Sequence, residues 1–171
     1  MARPYAPLSK RDLSRNSVVI FVTVGTTMAF DKLIRQIDEL VENGAITEPV
    51  ICQTGKGTYE PKHCEHFRFR PSLDDFFAQA DLVVTHGGAT VISLLAGRRR
   101  FIAVPNDIAT DQHQFHFLER LAKQTHLYWT PDLSQLGALI KIARTSVLDF
   151  DQMPSMADDL RWYLSSTLQH T

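Results

Sequence analysis

Three short polar segments of this sequence carry groups suited to binding a phosphorylated sugar. The first, Gly25-Thr26-Thr27, follows an apolar run and joins a residue without a Cβ to two hydroxyls. Such a turn lets a ligand approach the backbone closely, and the hydroxyls suit phosphate or sugar. Thr26 or Thr27 could equally cap the following helix, and the segment alone does not decide between the two roles.

The second segment, Thr85–Thr90, places two adjacent glycines at the start of a predicted helix. The first N–H groups of a helix have no partner inside it and attract phosphate, so this segment predicts a diphosphate site. His86 either assists the phosphate or ends the strand, and we favour the first role because its neighbours are polar. Neither GxxxxGK[ST] nor GxGxxG occurs, which disfavours Walker-type phosphate loops and an NAD-dependent sugar epimerase.

The third segment is Asp111-Gln112-His113-Gln114, at the start of another predicted helix. Asp111 and Gln114 are three residues apart and share a helix face, so a carboxylate and an amide could together hold neighbouring sugar hydroxyls. The same pair matches a capping box, in which Gln114 reaches back to the capping residue, and taken alone this structural role is the stronger interpretation. Together, the three segments outline a nucleotide-sugar site.

The elements that position these segments alternate between strands and helices. This order predicts the α/β class, a doubly wound, mainly parallel, Rossmann-like sheet in which ligands bind outside the carboxyl ends of the strands. From the apolar patterns we predict strands at 18–24, 49–53, 66–70, 82–85, 101–104 and 127–129, and helices at 30–41, 74–79, 89–96, 111–123 and 132–144.

The length of 171 residues suits one main domain. We predict a flexible basic tail at 1–16, a donor-binding domain at 17–150 and a C-terminal helix at 151–171. The apolar stripe of that last helix leaves Trp162 to one side. The helix could pack on its own domain or dock a partner, and the sequence leaves both possibilities open.

Composition excludes several classes of protein. With a formal net charge of −1, the chain lacks the basic surface of a dedicated nucleic-acid binder. The longest stretch without a charged residue, Leu82–Gly97, has 16 residues, fewer than the roughly 20 that a membrane helix needs. No apolar run follows the basic start, so we expect no signal peptide and a cytoplasmic protein.

The residues that could bind a metal lie close together at His63-Cys64-His66, with Cys52 twelve residues before Cys64. Cysteine and histidine are the usual ligands of zinc, but this spacing is tighter than that of the usual ligand pairs. We therefore prefer a polar loop leading into a strand, and we expect no metal and no cofactor.

The motifs resemble the glycosyltransferase family 28 C-terminal domain. The resemblance rests on Phe21–Thr27, His86–Thr90, Val104-Pro105 and Asp111–Gln114, and it runs from about residue 18 to 144. The layout is most similar to the small donor-binding subunits of two-component enzymes, both the bacterial PssE type and the eukaryotic subunit of the dolichol-linked N-acetylglucosaminyltransferase.

The resemblance implies the donor-binding half of an inverting, metal-independent GT-B glycosyltransferase that uses a UDP-sugar. Several relatives carry a glutamate that contacts the ribose where this chain has Leu94, which leaves open a non-catalytic enhancer subunit. The roles implied are contact with the diphosphate for His86, Gly87, Gly88, Ala89 and Thr90, contact with the sugar for Asp111, His113 and Gln114, lining of the cleft for Gly25, Thr26 and Thr27, and contact with the base for Pro71, Ser72 and Leu73.

The resemblance also implies a partner. A GT-B site lies between two Rossmann-like domains, and a chain of this length supplies one of them. The other would belong to a membrane-anchored subunit that binds a polyprenyl-diphosphate-linked saccharide and recruits this chain to the inner face of the membrane for polysaccharide synthesis. The sequence does not place the general base, which the partner could supply.

Overall fold

The computed structural model describes residues 19–106 and 112–146 of the chain. The predicted basic tail, Asp111 and the predicted last helix lie outside the described residues. Contacts divide the chain into two compact units, of which unit 1 ends at Val84 and unit 2 begins at Thr85. The elements in chain order are β1 (Ile20–Thr23), α1 (Asp31–Glu42), β2 (Val50–Gln53), β3 (Glu65–Phe67), α2 (Asp74–Gln79), β4 (Leu82–His86), α3 (Thr90–Ala96), β5 (Phe101–Val104), α4 (His113–Ala122), β6 (Tyr128–Trp129), a 3-10 helix (Leu133–Gln135) and α5 (Leu136–Thr145).

The six strands form one sheet in the order β3-β2-β1-β4-β5-β6. The registers of β1 with β2, of β2 with β3 and of β5 with β6 are parallel. This order is that of a Rossmann-like sheet, so the predicted α/β class is confirmed. The strand predicted at 66–70 is shorter than expected and ends at Phe67, which places Arg68, Phe69 and Arg70 in a loop.

The core of unit 1 is built on β1, whose four residues are all buried. Burial on both faces explains the continuous apolar run, because each face of a central parallel strand is covered. The ring of Phe21 lies 5.1 Å from that of Phe76 and 5.5 Å from that of Phe77, which fixes α2 against the sheet. The buried residues of α1 recur at helical spacing, and they are Leu33, Ile34, Ile37, Asp38 and Leu40.

Unit 2 is built in the same way around β5, which is fully buried. The ring of Phe115 on α4 packs edge-on against Trp129 of β6 at 5.5 Å. Within the described ranges, no helix has both the length and the apolar character needed to cross a membrane. The helices of this unit bury Val91, Leu94, Leu95, Phe117, Leu118, Leu121, Leu136, Ile140 and Ala143.

Candidate functional site

The turn after β4, residues 86–90, is named the glycine turn below. Its two glycine N–H groups have acceptors within unit 2: Gly87 N–H donates to Gln114 Oε1 at 3.2 Å, and Gly88 N–H donates to the His86 carbonyl at 2.9 Å. The N–H groups of Ala89 and Thr90 have no acceptor among the described residues. The backbone donors that the turn can offer a ligand are therefore those of Ala89 and Thr90.

Both glycines of the turn lie close to side chains of unit 2. A Cβ at Gly87 would lie 3.0 Å from Gln114 Cβ and 3.0 Å from Leu118 Cδ1, so a side chain there would push α4 away. A Cβ at Gly88 would collide with Nε2 of His86, because the imidazole lies directly against this glycine. The His86 ring therefore lies against Gly88 within the glycine turn.

Gln114 lies on the first turn of α4 and bonds to two segments of unit 2. One atom of its amide accepts from Gly87 N–H at 3.2 Å and from Asn106 N–H at 2.9 Å. Because both partners are donors, that atom is the amide oxygen, and the hydrogen-bond network fixes the orientation of the amide. The nitrogen of the same amide carries two N–H donors, which suit a sugar hydroxyl.

The capping-box interpretation pairs Gln114 with Asp111, which lies outside the described residues, so it stays a prediction. The residue before α4 is Gln112, which has a left-handed backbone with φ of 53° and makes no side-chain capping bond. Among the described residues, the oxygen of Gln114 bonds to Gly87 and Asn106. His113 is half-buried at the first position of α4.

In unit 1, the segment Gly25-Thr26-Thr27 follows β1 directly. Gly25 has φ of 73°, and a Cβ at Gly55 would collide with its carbonyl oxygen, so the two glycines allow two loops to touch. The helix that follows begins at Asp31, and its capping position, Phe30, makes no side-chain bond. Thr26 and Thr27 are exposed and do not cap α1, which removes the structural alternative for their hydroxyls.

The segment Pro71-Ser72-Leu73 immediately precedes α2. The hydroxyl of Ser72 donates to the Asp74 carboxylate at 2.8 Å and accepts from Asp74 N–H at 3.1 Å. Its side chain therefore orders the start of α2, which sequence reasoning missed. Sequence reasoning also missed Phe69, which is 65% exposed just before this segment because β3 is shorter than predicted.

Unit 1 also contains a loop, residues 55–63, that we name the carboxylate-held loop. The carboxylate of Asp38, which is 3% exposed, accepts from the Tyr59 hydroxyl at 2.7 Å, from His63 N–H at 2.7 Å and from Lys62 N–H. Burial raises its pKa, but these bonds outweigh burial and hold the pKa of Asp38 below its ordinary value. The Asp38 bond in turn raises the pKa of Tyr59 to about 12.

The other end of this loop is held by Asp31. Its carboxylate accepts from Thr58 N–H at 3.0 Å and from the Thr58 hydroxyl at 2.8 Å. Burial raises its pKa, but the bonds from Thr58 outweigh burial and lower the pKa of Asp31 overall. Two carboxylates of α1 thus accept the hydrogen bonds of Thr58, Tyr59, Lys62 and His63 in one loop.

Three of the four residues considered for zinc, Cys52, His63 and Cys64, have protein partners in this region. Cys52 and Cys64 are free cysteines whose side chains share a hydrogen bond. This hydrogen bond and burial raise the pKa of Cys52 well above its ordinary value. The His63 ring lies 3.6 Å from the Glu42 carboxylate. Within 19–106 and 112–146, no group of three or more His, Cys, Asp or Glu residues is placed to hold a metal ion.

Leu94 is 3% exposed and lies in the core of unit 2. Its side chain packs among apolar residues, and the neighbouring Ser93 is exposed. The spacing of Val91, Leu94 and Leu95 is that of a buried helix face, so the sequence already indicated this burial. The match of position 94 to a ribose-contacting glutamate stays a prediction.

Comparison with known proteins places this geometry in context. The model of the Glycosyltransferase family 28 C-terminal domain matches residues 19–133. The mouse (Mus musculus) protein "UDP-N-acetylglucosamine transferase subunit ALG13" is 32% identical over 124 residues, which are 64% of this chain and 10% of the mouse protein. This chain thus spans about a tenth of the length of that relative.

A second relative comes from Pelagibacter ubique (strain HTCC1062). It is "UDP-N-acetylglucosamine--N-acetylmuramyl-(pentapeptide) pyrophosphoryl-undecaprenol N-acetylglucosamine transferase", and it is 30% identical over 129 residues, 66% of this chain and 36% of that protein. Among solved structures, Acinetobacter baumannii MurG matches with a TM-score of 0.57 at 17% identity, over 86% of this chain and 46% of that chain. This likeness shows the fold, and it confirms the predicted Rossmann-like half of a GT-B glycosyltransferase.

Proposed function

The chain belongs to the glycosyltransferase family 28 C-terminal domain family, and we propose from this premise that it binds the UDP-sugar donor of an inverting glycosyltransferase. The family match confirms the resemblance that the motifs indicated. The observation that carries the proposal is the pair of N–H groups at Ala89 and Thr90, which have no acceptor within the described residues. Two adjacent backbone donors at a helix start suit the diphosphate of a nucleotide-sugar.

We assign contact with the sugar of the UDP-sugar donor to Asp111, His113 and Gln114. Gln114 supports this role because its oxygen is bonded to the backbone, which orients the two donors on its nitrogen. Both relatives named above carry UDP-N-acetylglucosamine or N-acetylglucosamine transfer in their names. UDP-N-acetylglucosamine is therefore the first donor to test.

The proposed reaction is a single displacement. A hydroxyl of the acceptor attacks the anomeric carbon, the bond from that carbon to the UDP oxygen breaks, and the configuration inverts. The N–H groups of Ala89 and Thr90 stabilise the negative charge on the departing UDP, so that no divalent metal is needed. A general base removes the proton of the attacking hydroxyl, and we assign this base to the acceptor-binding half.

We propose that the acceptor-binding half belongs to a second, membrane-anchored protein. One observation supports a partner: the mouse relative is named a subunit. The name of the bacterial relative contains pyrophosphoryl-undecaprenol, which supports a polyprenyl-diphosphate-linked saccharide as acceptor. The product would be an extended lipid-linked saccharide for polysaccharide synthesis, made at the inner face of the membrane.

The alternative of a non-catalytic enhancer subunit was motivated by Leu94. Leu94 is a core residue, so its side chain offers a ribose no polar contact. Donor binding without turnover in the presence of the acceptor-binding partner is the outcome that would favour this alternative over the catalytic subunit.

Titration calorimetry of the full chain with UDP, UDP-N-acetylglucosamine and ADP tests the proposal. We expect saturable binding of both uridine nucleotides and weaker binding of ADP, since the proposed site recognises uridine diphosphate. The same titration on the chain co-purified with an acceptor-binding partner is the second arm. Absence of uridine nucleotide binding in both arms would contradict the proposal.

A further inference from the structure

Gln114 connects two segments of unit 2 that are far apart in the sequence. Its amide oxygen accepts one hydrogen bond from Gly87 N–H, 27 residues away, and one from Asn106 N–H, 8 residues away. Gly87 belongs to the glycine turn after β4, and Asn106 lies just after β5. A single side-chain atom therefore ties together the loops that follow two different strands.

The surroundings of this atom fit a fixed arrangement. A Cβ at Gly87 would lie 3.0 Å from both Gln114 Cβ and Leu118 Cδ1, so the glycine turn and α4 are in close contact at this residue. Asn106 is 4% exposed, so water offers little replacement for a lost partner of its N–H. Removing the oxygen of Gln114 would leave two backbone donors unsatisfied and release both segments.

We propose that Gln114 is a positioning residue for donor binding, whose amide oxygen holds the glycine turn in the conformation that presents the N–H groups of Ala89 and Thr90. This inference rests on the proposed function and adds a second role to the sugar contact. The two roles make different predictions for UDP, which carries no sugar. A residue that contacts the sugar alone leaves UDP affinity unchanged, whereas a positioning residue affects it.

Two substitutions separate these roles. Gln114→Met has a similar length and offers neither the oxygen nor the amide nitrogen, so both backbone donors lose their acceptor. Gln114→Glu keeps an oxygen that can accept from both Gly87 and Asn106, because a carboxylate accepts hydrogen bonds from backbone N–H groups well. Gln124→Met is the matched control, because Gln124 is exposed just after α4.

Amide hydrogen exchange, measured by NMR on the ligand-free chain, tests whether Gln114 protects the N–H groups of Gly87 and Asn106 when no UDP-sugar is bound. In Gln114→Met we expect exchange at Gly87 and Asn106 to be at least about tenfold faster, and in Gln114→Glu both amides stay protected. The Glu variant is assessed by exchange alone, because its charge would repel a diphosphate. Unchanged exchange at both amides in Gln114→Met would overturn the proposal.

Calorimetry with UDP then tests the effect on binding, at a temperature where each variant is folded. Gln114→Met should bind UDP about 5–30-fold more weakly than the wild type, while Gln124→Met binds it normally. Should Gln114→Met fail to fold, Gln114→Asn replaces it, since its amide is one methylene too short to reach both donors.

Two results of the UDP calorimetry would also overturn the proposal. Wild-type UDP affinity in Gln114→Met, with weaker UDP-N-acetylglucosamine, would reduce Gln114 to a sugar contact. No UDP binding by the wild type would refute the proposed function and the positioning role together. The exchange data would still show whether the hydrogen bonds of Gln114 to Gly87 and Asn106 exist in solution.

Discussion

The glycine turn and the carboxylate-held loop each follow a parallel strand, and each contains two glycines. In the carboxylate-held loop, Asp31 and Asp38 accept hydrogen bonds from four residues, which are Thr58, Tyr59, Lys62 and His63. In the glycine turn, acceptors reach Gly87 and Gly88, whereas Ala89 and Thr90 have none among the described residues. The glycine N–H groups have acceptors in both segments, so paired glycines after a strand do not by themselves indicate a binding turn. The two segments differ in the N–H groups of the residues that follow the glycines, which carboxylates take in one segment and which remain for a ligand in the other.

The largest effect is expected from Asp38→Ala. This change leaves the donors of Tyr59, Lys62 and His63 without their buried acceptor, and we expect a loss of about 3 kcal/mol in the free energy of unfolding. Urea denaturation measures it. Asp75→Ala, at an exposed position of α2, is the control and should change stability little. Near-wild-type stability of Asp38→Ala would show that the loop does not depend on the carboxylate.

The second prediction concerns the glycine turn. Ala89 has φ of −56°, which proline can adopt, so Ala89→Pro removes one N–H donor without changing that dihedral angle. We expect UDP affinity to fall about tenfold or more, as for the loss of one hydrogen bond to a charged group, with little change in stability. Calorimetry and thermal unfolding measure the two quantities.

The control for this prediction is Ala89→Ser, which keeps the N–H group and should bind UDP like the wild type. Equal UDP affinity in Ala89→Pro and Ala89→Ser would remove this N–H group from the proposed site. Loss of affinity in both variants would point to the shape of the turn rather than its donor.

The third prediction is a pH dependence of stability that arises from the two carboxylates bonded to the carboxylate-held loop. The pKa values of Asp31 and Asp38 are lowered below 3.8 in the fold, so as the pH falls the unfolded chain binds protons first. The stabilisation that these two carboxylates contribute is therefore present above about pH 4, and it is lost as the pH falls through their pKa values in the folded chain. Asp38→Asn should flatten this dependence by at most about 1.4 kcal/mol per pH unit.

Urea denaturation at several pH values between about 3 and 6 measures this dependence. Asp75→Asn is the control, and its pH dependence should match that of the wild type. A wild-type dependence that persists in full in Asp38→Asn would assign the effect to other groups.

The smallest effect is expected from the double change Thr26→Ala and Thr27→Ala. Because neither threonine caps α1, the free energy of unfolding should change by less than about 0.5 kcal/mol. Thermal or urea unfolding checks this. A loss of about 1 kcal/mol, which is typical of a lost helix cap, would restore the structural role.

The sequence predicted the order of the elements and the position of each polar segment relative to its strand. It could do so because apolar periodicity and turn residues are local signals. The burial of Leu94 was also readable from its helical spacing to Val91.

What the sequence could not provide are bonds between distant residues. Asp38 accepts from Lys62 and His63, 24 and 25 residues away, and Gln114 accepts from Gly87, 27 residues away. No local pattern distinguishes a glutamine that caps its own helix from one that bonds to another loop. These long-range bonds decide which backbone donors remain for a ligand.

The most direct test of the central claim is an NMR titration of the ¹⁵N-labelled chain with UDP. The account predicts that the amide resonances of Ala89 and Thr90 shift in a saturable way, while those of Thr58, Lys62 and His63, which donate to carboxylates, stay in place. Shifts confined to the carboxylate-held loop, or no shift at Ala89 and Thr90 at saturating UDP, would contradict it.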